Sequence, residues 1–155
     1  EGFKFEEGFE YRLLVTINDD TKEEYTLKKI LKKKKTTYNP AERLDGKKWY
    51  LHSIHQDTVY MKLMDTATVY LQVTVADKTV KGRGVCNNFK GTVETNGNNI
   101  TFSAVAFTKM ACQGNILENI ISQMLARMKN FKVAGNVLTL RDNQGGLMIF
   151  KWRKE

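Results

Sequence analysis

Two cysteines, Cys86 and Cys112, and two histidines, His52 and His55, are the residues of this chain best suited to nucleophilic or metal chemistry. A hydrolase built on Cys86 would need His52 or His55 as base and an Asn or Asp to orient it. The histidines lie three apart in one strand candidate, so period-2 alternation turns them to opposite faces and only one could point inward. So few ligands would make an unusual zinc site, and neither metal nor cofactor is expected. An even pair of cysteines also allows one disulfide, worth about 3–4 kcal/mol through loop entropy. In a reducing compartment the same two residues would be buried thiols.

Cys86 sits in the densest run of special residues, GRGVCNNFKG at 82–91, with Gly82, Gly84 and Gly91 around Asn87 and Asn88. A phosphate loop is the obvious alternative, but it requires Gly-Lys-Ser/Thr, or a glycine opening a helix. Here Thr-Val-Glu-Thr follows, which reads as a strand. The glycines therefore read as a tight corner or bulge in a sheet, with the asparagines hydrogen-bonding local backbone.

The formal charge is +8, and six lysines (Lys28, Lys29, Lys32, Lys33, Lys34 and Lys35) crowd one short run at 28–35. Binding nucleic acid through that run is the alternative reading. A solvated strand edge that resists aggregation is the plainer one, because nucleic-acid binders gather aromatic or Arg partners for the bases with their charge. No nucleic-acid partner is expected. No apolar run approaches the roughly 20 residues that span a bilayer.

These residues must be held by elements, and most of the elements read as strands. Phe9, Tyr11, Leu13, Val15 and Ile17 alternate, Asn18 to Thr21 supply turn chemistry, and Tyr25, Leu27 and Lys29 resume the alternation, giving a hairpin at 1–36. Residues 37–43, with the only proline, Pro40, read as a linker, and 44–155 as the main domain. Strands are expected at 48–55, 69–75, 79–82, 92–95, 100–107, 132–134, 137–141 and 147–152. Ile116, Leu117, Ile120, Ile121, Met124, Leu125 and Met128 recur instead at helical spacing, with Asn115 as N-cap and Glu118 three residues on. Seven buried apolar side chains at about 1.5–3 kcal/mol each make that helix a main core element. Met124 and Met128 are also suited to line an adaptable pocket. The fold class expected is α+β, mainly β: an antiparallel curved sheet or partly open barrel with one amphipathic helix on it.

In sequence order, Leu44-Asp45-Gly46-Lys47-Lys48-Trp49, the 82–91 stretch, Thr108-Lys109-Met110-Ala111-Cys112 and Leu138-Thr139-Leu140 resemble the motifs of the META domain (HslJ-like) family. Two details depart from its pattern: one residue separates Gly84 from Cys86, and Lys109 stands where arginine is usual. The segment at 2–13 is similar to the C-terminal part of a small domain of unknown function that precedes META domains in bacterial lipoproteins. The resemblance implies a bacterial envelope or secreted location, often with a lipid anchor, links to stress tolerance and no established catalytic activity. A monomer is expected that binds an envelope protein or an acyl chain and meets the membrane only through a lipid anchor absent from this chain, with Cys86 facing Cys112.

Overall fold

A computed structural model of the chain describes residues 4, 6, 9–17, 25–35, 39–56, 58–63, 68–109 and 115–153. The chain divides into two compact units, Glu1–Tyr38 and Asn39–Glu155.

In the first unit, β1 (Phe9–Ile17) and β2 (Tyr25–Lys35) form an antiparallel ribbon. Register slips between Arg12 and Leu13 and between Leu14 and Val15 leave Leu31 and Lys28 without opposite residues. These bulges absorb the places where β2 breaks strict alternation, so the two strands stay paired along the ribbon although the register shifts twice. The expected turn at Asn18 to Thr21 lies outside the described residues.

The second unit begins earlier than the sequence suggests. Residues 40–43, read as linker, belong to a short helix, α1 (Pro40–Leu44), whose Ala41 and Leu44 are buried. Asn39 Oδ1 accepts the backbone N–H of Ala41 at 3.1 Å, and Pro40 occupies the first turn, where its missing N–H costs nothing. An Asn-Pro pair that reads as a linker is here a helix start.

The strands that follow are β3 (Lys48–Gln56), β4 (Val59–Lys62), β5 (Tyr70–Thr74), β6 (Thr79–Arg83), β7 (Asn88–Asn96) and β8 (Asn99–Phe107). After the helix α2 (Asn115–Arg127) come β9 (Asn130–Ala134), β10 (Val137–Arg141) and β11 (Leu147–Trp152). Their spatial order is β11-β10-β9-β8-β7-β6-β5-β3-β4, and an added β11–β3 pairing joins the sheet into a ring. This is the mainly β, antiparallel curved sheet with one longer helix that the sequence predicts. The ring is thinnest between β8 and β9, which pair only at Asn99 and Asn130, and α2 packs on β8. β4 shares one edge of β3 with β5: β5 pairs with Lys48 to Tyr50, and β4 with Ser53 to Gln56.

Trp49, Leu51, Leu71, Met124, Leu125, Met128, Leu138, Leu140 and Met148 fill the interior and are all essentially inaccessible. Trp49 also satisfies its indole N–H, donating to the Leu44 carbonyl at 3.0 Å, so the Leu44…Trp49 motif is a packed corner. The expected helical stripe has one exception, since Ile116 is 76 % exposed.

Candidate functional site

The corner at 84–87 links β6 to β7, and Gly84 N–H donates to the Asn87 carbonyl across it at 2.7 Å. A carboxylate faces the corner from α2. Glu118 Oε2 accepts the backbone N–H of Cys86 at 3.0 Å and that of Asn87 at 3.2 Å. Glu118 is only 6 % exposed. Burial alone would raise its pKa. The Cys86 N–H, the Asn87 side chain and the Asn87 N–H outweigh burial and hold it below the ordinary glutamate value. A carboxylate so held is a fixed anion, ill-suited to donate a proton.

β8 closes the other side. Thr108 Oγ1 donates to Asn87 Oδ1 at 2.9 Å and accepts the Asn88 N–H at 3.2 Å, while the Thr108 N–H donates to the Asn88 carbonyl at 2.9 Å. Two glycines make room for this arrangement. A Cβ on Gly84 would stand 3.0 Å from Glu118 Oε2, and one on Gly82 would collide with the Tyr70 carbonyl and the ring of Phe89. Gly91 lies at the register shift of the β7–β8 pair. The corner reading of 82–91 thus acquires a partner that sequence patterning missed. Glu118 reads there as a helix-start residue, yet it lies three residues before Ile121 and seven before Leu125, on the buried face. An acid in phase with an apolar stripe was the available signal. Asn115, the expected N-cap, begins α2, and its side chain lies outside what the structure describes.

Cys86 is disulfide-bonded. Its expected partner Cys112, and with it Met110, lies outside the described residues. A sulfur held in a disulfide offers no thiolate, so the Cys86–histidine hydrolase lacks its nucleophile in this state. The histidines are not arranged by simple alternation either. Leu51 and Ile54, three apart, both enter the core, because the β3–β11 register slips there. His55 packs on Tyr60 of β4 with ring centroids 4.4 Å apart. Among the described residues no three His, Cys, Asp or Glu side chains cluster as metal ligands.

Met124 and Met128, expected to line a pocket, are sealed in the core. The concavities lie elsewhere, none of them lined by Met124 or Met128. One, of about 390 Å³, opens beside the corner and is lined by Thr108, Lys109, Asn119 and Ser122 among others. A smaller, more apolar groove of about 250 Å³ lies between the β3–β4 pair and α2, lined by Ile54, Gln56, Val59, Met61 and Ile120. Beside it Val59 and Tyr60 are 59 % and 57 % exposed. β4 is absent from the sequence reading because four residues are too few to show alternation against an exposed surface.

The far end of α2 is anchored by an ion pair. Arg127 Nη2 lies 2.7 Å from Asp142 Oδ2, and Asp142 Oδ1 accepts the N–H groups of Gln144 and Gly146. Burial would raise the Asp142 pKa, but those two N–H groups and the Arg127 charge lower it.

The model of the META domain matches residues 42–155. No curated protein matches the chain. A protein from Burkholderia xenovorans, solved by NMR, superposes with a TM-score of 0.64 at 20 % identity, over 76 % of this chain and 90 % of that one. A second NMR structure gives 0.54 at 25 % identity over 74 % and 96 %. A crystal structure of a DUF4847 family protein from Bacteroides vulgatus gives 0.55 at 15 % identity over 74 % and 97 %.

Proposed function

The chain belongs to the META domain family, and from that premise we infer that its second unit is a non-catalytic domain of the bacterial envelope that binds a protein partner on the outside of the strand ring. The observation that carries this reading is the edge strand β4, where Val59 and Tyr60 stand exposed beside the groove floored by Ile54, Met61 and Ile120. The groove's 250 Å³ is below the roughly 300–1,000 Å³ of typical small-molecule sites, so it suits one or two apolar side chains better than a long acyl chain. The ring interior, filled by Trp49 and the buried methionines, leaves an acyl chain little room. A short edge strand offers an incoming segment unpaired backbone, with the groove reading its side chains. The disulfide at Cys86 supports an oxidising location. The domain acts as a monomer, with its surface complementary to one partner.

A photo-crosslinking residue placed at position 59 or 60, with Lys132 on β9 as control site, tests this in bacterial cells. A discrete protein adduct at 59 and 60 and none at 132 is expected. Adducts with lipid only, or none at 59 and 60, would refute the reading.

A further inference from the structure

The ribbon of the first unit divides its charge unequally between its faces. On one face Tyr11 stands opposite Lys33 and Leu13 opposite Ile30. There Lys33 is neutralised: its Nζ lies 2.7 Å from Glu6 Oε1, and 4.5 Å and 5.7 Å from the ring centroids of Phe9 and Tyr11. The other face pairs Glu10 with Lys34, Arg12 with Lys32, and Leu14 with Lys29. Among the described residues it therefore carries Arg12, Lys29, Lys32 and Lys34 against the single carboxylate Glu10. Among the described residues none of the four cations has an ion-pair partner.

Like charges directly opposite in a ladder repel, so the Arg12–Lys32 pair is unfavourable unless an anion sits over it. A concavity of about 420 Å³ opens at that point, lined by Glu10, Tyr11, Arg12, Lys32 and Lys34. Aliphatic side chains stand beside the cations: Leu14 shares their face and Leu31 is bulged out next to Lys32, each about half exposed. We propose that this face docks on a membrane surface of anionic phospholipid. A headgroup phosphate occupies the concavity between Arg12, Lys32 and Lys34, and Leu14 and Leu31 enter the interface. Cations interleaved with aliphatic groups are the composition that binds such a surface. A nucleic-acid site would place several aromatic rings among the free cations to stack bases, whereas Tyr11 is the one described aromatic residue lining the concavity and its ring, like that of Phe9, lies beside Lys33.

Co-sedimentation of the full chain with phosphatidylcholine vesicles, and with vesicles of equal parts phosphatidylcholine and phosphatidylglycerol, tests the proposal. The chain is expected to sediment only with the anionic vesicles, and to be released as salt rises. Arg12→Glu combined with Lys32→Glu should weaken binding at least about tenfold. Leu14→Asp should weaken vesicle binding while leaving the NMR shifts induced by inorganic phosphate at Arg12 and Lys32 in place. Because charge reversal also strains the ribbon, Lys29→Gln with Lys34→Gln provides a milder second variant with a smaller loss in the same direction. Equal binding to both vesicles, undiminished binding by the variants, or tighter binding to a single-stranded oligonucleotide than to the anionic vesicles would overturn it.

Discussion

Glu118 Oε2 on α2 accepts the backbone N–H of Cys86 at 3.0 Å, so the helix holds the β6–β7 corner by a buried charge in addition to the disulfide at Cys86. This relationship explains why glycines, an asparagine, a threonine and an acid from separate stretches occur together. Each satisfies or makes room for the same few backbone groups.

Glu118→Ala leaves the N–H groups of Cys86 and Asn87 buried without their acceptor. A loss of about 2–3 kcal/mol is expected, and about 1 kcal/mol for Glu118→Gln, whose amide oxygen still accepts. Urea denaturation of the variants measures both, and equal losses would contradict the charge-assisted account.

Acidification should expose the two lowered carboxylates. Glu118 and Asp142 both titrate below their ordinary values in the folded chain. Over the acid range the unfolded chain therefore binds more protons than the folded one, and stability rises with pH. The contribution is complete above the ordinary carboxylate values, about 4, and is lost as pH falls through the lower folded values. Urea midpoints between pH 7 and pH 3 should fall less steeply in Glu118→Gln than in the parent chain.

Of the two close-approach glycines, Gly82 should tolerate alanine less well. Its Cβ meets immovable backbone at the Tyr70 carbonyl as well as Phe89, whereas the atoms nearest that of Gly84, at 3.0–3.1 Å, belong to the Glu118 side chain. Losses of about 2–3 kcal/mol for Gly82→Ala and about 1 kcal/mol for Gly84→Ala are expected in thermal denaturation.

Cys86→Ser should cost about 3–4 kcal/mol and abolish sensitivity to dithiothreitol. The pairing proposed for Cys86 is with Cys112, so Cys112→Ser should reproduce the same midpoint and the double variant should add nothing. Additive losses would contradict the pairing.

One substitution should stabilise the fold. Ala104, exposed at the β7–β8 bulge, has φ +51°, a conformation that glycine adopts without penalty. Ala104→Gly is expected to gain up to about 1 kcal/mol of stability in urea denaturation.

Much of this architecture was legible in the sequence because it rests on periodicity. α2 announces itself by Ile121, Leu125 and Met128, and β10 by Leu138 and Leu140, whose alternation matches their burial. Between the strands expected at 92–95 and 100–107, Asn96-Gly97 is turn chemistry, and Gly97 takes φ +57° in the β7–β8 hairpin. The losses have local causes. Pro40 stops a chain as readily as it starts a helix, and only burial of Ala41 and Leu44 decides which. The register slip between Leu51 and Ser53 shifts the phase of β3, so counting by twos misplaces the histidines. The candidate site was half legible: its glycines, Asn87 and Thr108 stand out by type. Glu118 does not, because an acid at a helix start already has a sufficient local explanation.

Glu118 is a fixed anion that clamps the Cys86 corner. The direct measurement is a pH titration of the Glu118 side-chain carboxyl by carbon NMR in the intact chain. The clamp predicts an apparent pKa below the ordinary glutamate value of about 4.3, with the Cys86 and Asn87 amide shifts moving at the same midpoint. A Glu118 midpoint at or above that ordinary value, uncoupled from those amides, would contradict it.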